Sequence, residues 1–374
     1  MYFEDCVFLL VCISVIVYIY RLFKKKEPRS QSSQLICCDD FEQYARDHVP
    51  ADLFGYIAGG TGKRLTIPAN IEAFKKVQLM TKIFHPVINV DLRTMFLGRV
   101  ADLPIGIAPS SARSVIWPDG ERCVARAADD MKIVSILPML GSASIESIAK
   151  SAPSAVHWLQ IRLCKDNAHM SLIHRAEDAG FEAIVVSADG ARGLRCKQHK
   201  FPTKLNTECP NFNYKSVTTV LDQLIEPCVS WHDLDDVISE TKLPVVLKGV
   251  LNPDDAIEAV KHGVQGIIVS NHGGRILDGV PSSLEMLPEI KSAIGDDVDL
   301  YFDSGIRTGS DVFKALALGA KGVFIGRPVL YGLSYQGEEG IKKVFNILTE
   351  ELRIAMIHTG CSSISKISPA VIRK

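Results

Sequence analysis

The sequence predicts an α/β protein, a TIM (β/α)8 barrel preceded by a single N-terminal transmembrane helix. Two patterns predict the barrel: short apolar runs recur after residue 100, and helix-like segments separate most of them. Buried strands that alternate with amphipathic helices indicate parallel β/α units, and about eight such units in ~270 residues is the size of a TIM barrel. A third pattern, an apolar run near the N-terminus, predicts the transmembrane helix.

The predicted strands are short and rich in Val, Ile and Leu. In chain order the apolar runs are LPIGIAP, IVSILPM, AVHWLQIRL, EAIVVSAD, LPVVLKGV, GIIVSNH, VDLYFDSG and AKGVFIGR. Intervening segments such as GERCVARAADDM and PDDAIEAVKHG have the spacing of amphipathic helices. A doubly wound sheet is the alternative that this pattern allows. It is disfavoured because no GxGxxG follows the first strand.

The composition argues against several classes of protein. Of the 374 residues, 47% are hydrophobic and 23% are charged, which is typical of a folded chain with a large core. The formal net charge is -1, so no overall basic field predicts a nucleic-acid partner. The 10 cysteines include no CxxC pair and no His/Cys ligand cluster, so we expect reduced thiols and no metal site.

The N-terminal segment, residues 1–36, is predicted to be a membrane anchor followed by a linker. Its apolar run begins at Cys6, follows two acidic residues and precedes a basic cluster that includes Lys24. A cleaved signal peptide would have the opposite order of charges, so we expect an uncleaved anchor over residues 1–23 and a linker over residues 24–36. The basic flank predicts a single-pass membrane protein whose main domain, residues 37–374, faces the cytosol. A signal peptide and a hydrophobic tail with another use are the alternatives.

Polar and ionisable side chains are concentrated where the predicted strands end, which is where barrels collect their chemistry. The clearest case is SNHGGR, residues 270–275, which offers a general base in His272, a carboxylate binder in Arg275 and glycine backbone that a ligand can approach closely. A lone strand-end Asp or Ser usually caps the next helix. Capping does not explain why nearly every strand end carries such groups.

The last two strand ends combine the features of an anion site. DSGIRTGSDV offers glycine-containing backbone, Arg307 and a following helix N-terminus, and IGRPV offers Gly326 and Arg327. Barrels often hold phosphate between the loops after the seventh and eighth strands, where N–H groups and the helix dipole favour negative charge. We therefore expect a phosphorylated cofactor whose electron-rich ring faces Lys248.

Three blocks, IIVSNHGGRILDGVP, LPVVLKGV and DSGIRTGSDVFKALALGAKGVFIGRPV, closely resemble the FMN-dependent α-hydroxy acid oxidase and dehydrogenase family, which includes glycolate and lactate oxidases. The likeness runs from about Cys38 to Ile367. It implies FMN at the C-terminal mouth of a TIM barrel, a small 2-hydroxy acid as substrate and, as in many members, a homotetramer. The implied reaction is the oxidation of an (S)-2-hydroxy acid to the 2-oxo acid, with O2 as the expected acceptor and H2O2 as product.

The resemblance also implies roles for the strand-end residues. His272 matches the family's base, Asp189 would hold its imidazolium, and Arg275 would bind the substrate carboxylate. Tyr56 matches a tyrosine that contacts substrate, and Lys248 would stabilise negative charge on the reduced flavin. The other FMN contacts implied by the motifs are Pro109, Ser110, Ser111, Gln160, Ser187, Ser270, Asp303, Ser304, Gly305, Ile306, Arg307, Gly326 and Arg327.

Several positions depart from the family pattern. Arg162 stands where a substrate-contacting tyrosine is usual, and Pro138 stands where a serine contacts FMN. Cys196 aligns with the second carboxylate-binding arginine, although a slip of one residue would give that role to Arg195. Ser304 replaces the usual glycine.

These departures leave two main hypotheses. The retained His272 and Asp189 favour an FMN-dependent (S)-2-hydroxy-acid oxidase. The departures favour an FMN-binding relative with weak or no turnover, a binding or regulatory protein that keeps FMN because a bound ligand stabilises the fold. Arg162 would either bind the substrate carboxylate in place of the arginine lost at Cys196, or lower the pKa of His272 as a neighbouring like charge. We expect the first, because it preserves the charge of the pocket.

Overall fold

Eight parallel strands close into a barrel in the part of the chain that the computed structural model describes, residues 35–111, 113–190, 208–214, 220, 223–226 and 228–373. The strands are β1 Ile105–Ile107, β2 Val134–Pro138, β3 Val156–Ile161, β4 Ala183–Ser187, β5 Val245–Val250, β6 Gly266–Val269, β7 Asp299–Asp303 and β8 Gly322–Ile325. Each strand pairs in parallel with the next, and β8 pairs with β1. The predicted (β/α)8 barrel is therefore confirmed, and the doubly wound sheet, which would leave two open edges, is wrong.

Helices alternate with the strands and precede the barrel. They are α1 Cys38–His48, α2 Ala51–Ala58, α3 Thr66–Lys76, α4 Gly120–Met131, α5 Ile145–Ser151, α6 Met170–Asp178, α7 Trp231–Glu240, α8 Pro253–Lys261, α9 Ser283–Ile294, α10 Gly309–Ala317 and α11 Arg327–Thr359. Capping boxes fix where α9 and α10 begin, with Ser282 and Thr308 as N-caps. Strands such as β2 and β4 are buried along their whole length, and for this reason they appear in the sequence as continuous apolar runs.

An aromatic cluster fills the N-terminal end of the barrel. A hairpin of two short strands, Thr94–Phe96 and Arg99–Ala101, places Phe96 against three rings of the barrel strands. The ring centroids of Tyr301, Phe324 and Trp158 lie 5.1, 5.6 and 6.0 Å from that of Phe96. Gly322 permits this approach, because a Cβ there would lie 2.3 Å from the Phe96 ring. The ring of Phe96 therefore closes this end of the barrel.

A second antiparallel pair joins distant parts of the sequence. Gln78–Leu79, which precedes β1, pairs with Ile372–Arg373 near the C-terminus. Between the two, Lys82 N–H donates to the carbonyl of His358 at the end of α11. The chain before the first barrel strand is therefore held by the chain after the last one.

The expectation of a transmembrane helix has to be corrected. Within the ranges described above, no helix combines the length and the apolar character needed to cross a membrane. The predicted anchor over residues 1–23 and most of the linker over residues 24–36 lie outside those ranges. The apolar run itself extends only from Cys6 to Tyr20, short of the about 17–25 residues that a spanning helix needs. The predicted single-pass membrane location, with a cytosolic domain, loses its support together with the helix.

Candidate active site

A cavity of about 240 Å³ lies at the C-terminal ends of the barrel strands. The predicted site residues that line it are Tyr56, Pro109, Ser110, Ser111, Gln160, Arg162, Lys248, His272, Arg275, Asp303, Ser304, Gly305, Ile306, Arg307, Gly326 and Arg327. Three further predicted residues, Asp189, Ser187 and Ser270, hydrogen-bond to this lining from behind. Arg195 and the neighbouring Cys196 lie outside the described residues. The barrel thus brings together the other predicted residues, which the sequence spreads from position 56 to position 327.

His272 and Asp189 form a hydrogen-bonded pair at this cavity. His272 Nδ1 donates to Asp189 Oδ2 over 2.7 Å, which leaves Nε2 as the basic nitrogen. Burial lowers the pKa of His272, Asp189 acts in the opposite direction, and Lys248 and Arg162 lower it further. Burial alone would raise the pKa of Asp189, but His272, Lys248 and Arg162 hold it well below its usual range. An ionised carboxylate beside a neutral imidazole is the arrangement of a general base.

The loop after β6 holds His272 in a left-handed conformation, with φ at 56°. Its backbone N–H donates to Ser270 Oγ over 3.0 Å, and the next N–H, of Gly273, donates to Ser304 Oγ over 3.0 Å. Asn271 is locked by two reciprocal side-chain hydrogen bonds with Asn70, of 2.8 and 2.6 Å. A histidine at positive φ is uncommon, and these bonds on both sides of it stabilise the unusual backbone.

Gly249, in β5, leaves the space that Asp189 needs in order to hydrogen-bond to His272. Gly249 has φ at 102°, and a Cβ there would lie 2.5 Å from Asp189 Cβ. Any larger residue would push the carboxylate away from His272. The glycine in LPVVLKGV is thus needed for the hydrogen bond between Asp189 and His272. Its position within a strand does not reveal this role.

Lys248 connects three neighbouring strand ends. Its Nζ lies 3.0 Å from Oδ2 of Asp303, the last residue of β7, and donates to Oγ of Ser270, directly after β6, over 2.8 Å. Ser304 donates from Oγ to the other oxygen of Asp303 over 2.8 Å, although its own φ is 88°. Lys248 and Asp303 are both buried. A buried ion pair needs such further hydrogen bonds to offset its desolvation, and the structure provides them.

Arg162, which departs from the family pattern, contacts the partner of the base. Its Nη1 donates to the carbonyl of Gly190, and its Nη2 lies 3.6 Å from Asp189 Oδ1. Its backbone N–H donates to Met139 Sδ over 2.9 Å. Burial lowers the pKa of Arg162, and Asp189 opposes that change. The guanidinium therefore adds a positive charge to the side of the cavity that holds the base.

Arg327 binds backbone carbonyls from two loops. It donates to the carbonyls of Ile57, Gly59 and Gly273 over 3.1, 2.8 and 2.9 Å. The pKa of Arg327 is lowered to about 9, mainly by burial and to a smaller extent by repulsion from Arg275 and Arg307. Three cations therefore converge beside the loops after β7 and β8.

Arg275 stands over the ring of Tyr56, with 4.7 Å between its guanidinium carbon and the ring centroid. Its Nη1 donates to the carbonyls of Tyr56 and Gly59 over 2.8 and 3.1 Å. The predicted carboxylate binder and the predicted substrate tyrosine are thus in direct contact, and both line the cavity.

The residues present fit FMN. A phosphate dianion bound by Arg307 and Arg327 would relieve the repulsion that these two arginines share with Arg275, and arginine binds phosphate well. Gly326 leaves room at this position, because a Cβ there would come no closer than 3.9 Å to its neighbours. Lys248 provides a buried cation for the ring, in a wall that also contains polar side chains.

An apolar wall of the cavity was not predicted from the sequence. It consists of Leu53, Val115, Ile116, Met139, Leu140 and Leu330. The strand-end rule that finds the polar residues would also have found Met139, which directly follows β2.

Buried Glu121 was not predicted either. It accepts hydrogen bonds from the backbone N–H groups of Arg113 and Ser142 over 3.1 and 2.9 Å. It therefore connects the loops after β1 and β2.

Comparison with known proteins decides the family. The sequence model of the FMN-dependent dehydrogenase family matches residues 45–374. The chain belongs to the FMN-dependent dehydrogenase family. It is 40% identical over 354 residues to human 2-hydroxyacid oxidase 2, covering 91% of this chain and 98% of that protein. A peroxisomal (S)-2-hydroxyacid oxidase of Arabidopsis thaliana is 35% identical over 352 residues, with 91% and 97% covered.

The fold of a family member agrees with this assignment. The crystal structure of mandelate oxidase superposes with a TM-score of 0.81 at 36% identity, and covers 88% of this chain and 96% of that one. The predictions of the family, of FMN as cofactor and of an FMN-dependent 2-hydroxy-acid oxidase are therefore confirmed. The roles of individual residues stay predictions.

Proposed function

We propose that the protein oxidises an (S)-2-hydroxy acid to the 2-oxo acid, with O2 as the final electron acceptor and H2O2 as product. The observation that carries the proposal is the His272–Asp189 pair in a cavity shared with Arg275 and Tyr56. The 2-hydroxyacid oxidases among the relatives support it. FMN, when bound, accepts the two electrons that leave the substrate.

The side chains of this cavity supply binding and proton transfer. Arg275 binds the substrate carboxylate, and the Tyr56 hydroxyl donates a hydrogen bond to the substrate, so the α-carbon is held in one orientation. Oxidation removes two protons and two electrons from the substrate. His272 Nε2 accepts one proton, either from the α-carbon or, if the α-hydrogen leaves as hydride, from the hydroxyl group. The other proton would leave with the two electrons, and both protons would end in H2O2. Asp189 stabilises the imidazolium that results.

A weakly active FMN-binding protein is the second candidate. It is favoured by Pro138, which lines the cavity and offers neither a hydroxyl nor a backbone N–H. Arg162 also changes the side of the cavity where substrate is expected. On this view FMN stabilises the barrel by binding to the folded state alone.

Turnover separates the two candidates. The full chain loaded with FMN is mixed with glycolate, (S)-lactate and (S)-mandelate, and flavin bleaching and H2O2 are measured. We expect bleaching and one H2O2 per 2-oxo acid with at least one of these acids, and neither with (R)-lactate or (R)-mandelate. Bound FMN that no member of a wider acid panel bleaches would reject the oxidase and support the second candidate.

The domain assignment and the assembly are inferred from the family. The assignment of residues 37–374 to one catalytic domain and the homotetramer are both supported by family resemblance. Sedimentation velocity of the full chain tests the tetramer, which would give about four times the mass of one chain, 41.0 kDa.

A further inference from the structure

His272 and Arg162 approach different carboxylate oxygens of Asp189. Asp189 gives one carboxylate oxygen, Oδ2, to His272 Nδ1 at 2.7 Å, and its other oxygen, Oδ1, lies 3.6 Å from Arg162 Nη2. Among the described residues, Oδ1 is buried without a hydrogen-bond partner. A separation of 3.6 Å is too long for a hydrogen bond, so Arg162 and Asp189 interact through charge.

The positive charge of Arg162 is fixed in place. Its Nη1 donates to the carbonyl of Gly190, and only 12% of the side chain is exposed. Salt screens a charge in such a position much less than a charge on the surface. Arginine also keeps its charge across the pH range in which histidine titrates.

Other charged or titratable groups also face His272. Asp189 and Lys248 act on it from the ends of β4 and β5, and Tyr56, Arg275 and Arg327 line the same cavity. Lys248 is paired with Asp303 at 3.0 Å. Arg162 differs from Lys248 in its ion pair: Lys248 pairs with Asp303, whereas Arg162 pairs with Asp189, the carboxylate to which His272 bonds.

We infer that Arg162 is a positioning residue that shares Asp189 with His272 and thereby shifts the pH range in which His272 works as a base. The inference rests on the proposed function, in which His272 accepts a proton. Arg162 balances part of the negative charge of Asp189, so less of that charge stabilises the protonated imidazole. His272 is then neutral, and ready to accept a proton, at a lower pH than it would be beside a neutral residue at position 162.

The test compares the titration of His272 in matched variants of the FMN-loaded full chain. Its ring signals are followed by NMR from pH 4 to 9 with ring-labelled histidine and are assigned by their loss in His272→Gln. In Arg162→Met, which removes the charge, the midpoint should rise by on the order of 0.5–1 pH unit. Arg162→Lys should stay near the wild-type value. Arg99→Met, which removes an exposed arginine paired with Glu182, should not move it.

Kinetics give a second readout. The acid limb of the pH profile of kcat/KM should move upward with the NMR midpoint in Arg162→Met, so activity is lost at acid pH and retained at alkaline pH. A role of Arg162 in packing alone would lower activity equally at every pH. The conservative variant Arg162→Lys should restore the wild-type profile.

Each outcome decides the inference. An unchanged or lowered midpoint in Arg162→Met overturns it, and so does an equal rise in Arg162→Lys, which keeps the charge. If Arg162→Met does not fold, Arg162→Gln, which keeps a donor for Gly190, carries the same test. If no hydroxy acid is turned over, the proposed function fails, whereas the NMR midpoint still shows whether Arg162 acts on His272.

Discussion

The two ends of the barrel are built from the same eight strands of the described chain, yet they differ completely in chemistry. At the N-terminal end, Phe96 lies among aromatic rings 5.1–6.0 Å away. At the C-terminal end, Lys248 and Asp303 lie 3.0 Å apart, and Asp189 lies 2.7 Å from His272. The strands span at most six residues, or about 20 Å, so this change occurs over a short distance.

The difference shows what a buried group requires in order to remain stable. The ring of Phe96 needs only close packing, and the neighbouring rings supply it. Charges need partners, and the described site gives a counter-ion to Lys248 and hydrogen bonds to Asp303. The N-terminal end should therefore determine stability, and the C-terminal end should determine activity.

The largest effect is expected at the C-terminal end. His272→Ala should reduce the rate of flavin reduction by substrate 10²–10⁴-fold, the range typical of losing a general base. FMN should stay bound and the unfolding midpoint should change little, because the cofactor contacts of the cavity remain. Stopped-flow bleaching of the flavin measures the rate. An unchanged rate in this variant would show that His272 is not the base.

At the other end, Phe96→Ala should lower the free energy of unfolding by about 3–5 kcal/mol, because it leaves a cavity among rings that cannot close over it. Denaturant titration measures the loss. Phe84→Ala is the matched control, since Phe84 is 98% exposed and its removal should cost almost nothing. The bleaching rate per folded molecule should not change. A large change in that rate would mean that the two ends are not independent.

Arg327→Ala should weaken FMN binding at least tenfold, because charge-assisted hydrogen bonds contribute about 1.5–3 kcal/mol each. Fluorescence titration of the apoprotein gives the dissociation constant. Riboflavin, which lacks the phosphate, is the control ligand, and its binding should be nearly unaffected. An equal loss for both ligands would show that Arg327 acts through the carbonyls of Ile57 and Gly59 that it binds.

The smallest effect is expected at Ser304, whose φ of 88° favours glycine. Ser304→Ala keeps the backbone strain and loses the hydroxyl, so it should be about 1 kcal/mol less stable than Ser304→Gly, which relieves the strain. Thermal unfolding of the two variants, side by side, measures the difference. Equal stability would mean that the loop relaxes to a different backbone conformation once the hydroxyl is lost.

Much of the C-terminal end could be predicted from the sequence, since continuous apolar runs identify the strands and the strand-end rule identifies the polar residues. The resemblance implied the pairing of His272 with Asp189, but the other pairings of these residues could not be predicted. Nothing in the spacing of Lys248 and Asp303, or of Arg162 and Asp189, shows that they meet, because barrel closure sets those distances. The proposed compensation between Arg162 and Cys196 stays a prediction, since Cys196 lies outside the described residues.

The N-terminal end shows where sequence patterns fail. The hairpin with Phe96 is too short to give a periodic signal, and its role depends on the small residue at Gly322 far along the chain. Segment length also explains why the predicted membrane span was wrong. Hydrophobic character and the order of the flanking charges suggested it, although the apolar run before Arg21 is shorter than a bilayer requires.

The pairing of β1 with β8 has a consequence for biosynthesis. A ribosome adds about 5–20 residues per second, so β1 leaves the exit tunnel about 10–40 seconds before its partner strand. During that interval the nascent sheet has an open edge, which other chains can pair with. The contact between Gln78–Leu79 and Ile372–Arg373 forms later still, once Ile372–Arg373 has been synthesised. Holding chaperones that cover an exposed strand edge are therefore expected to associate with the nascent chain until β8 pairs with β1.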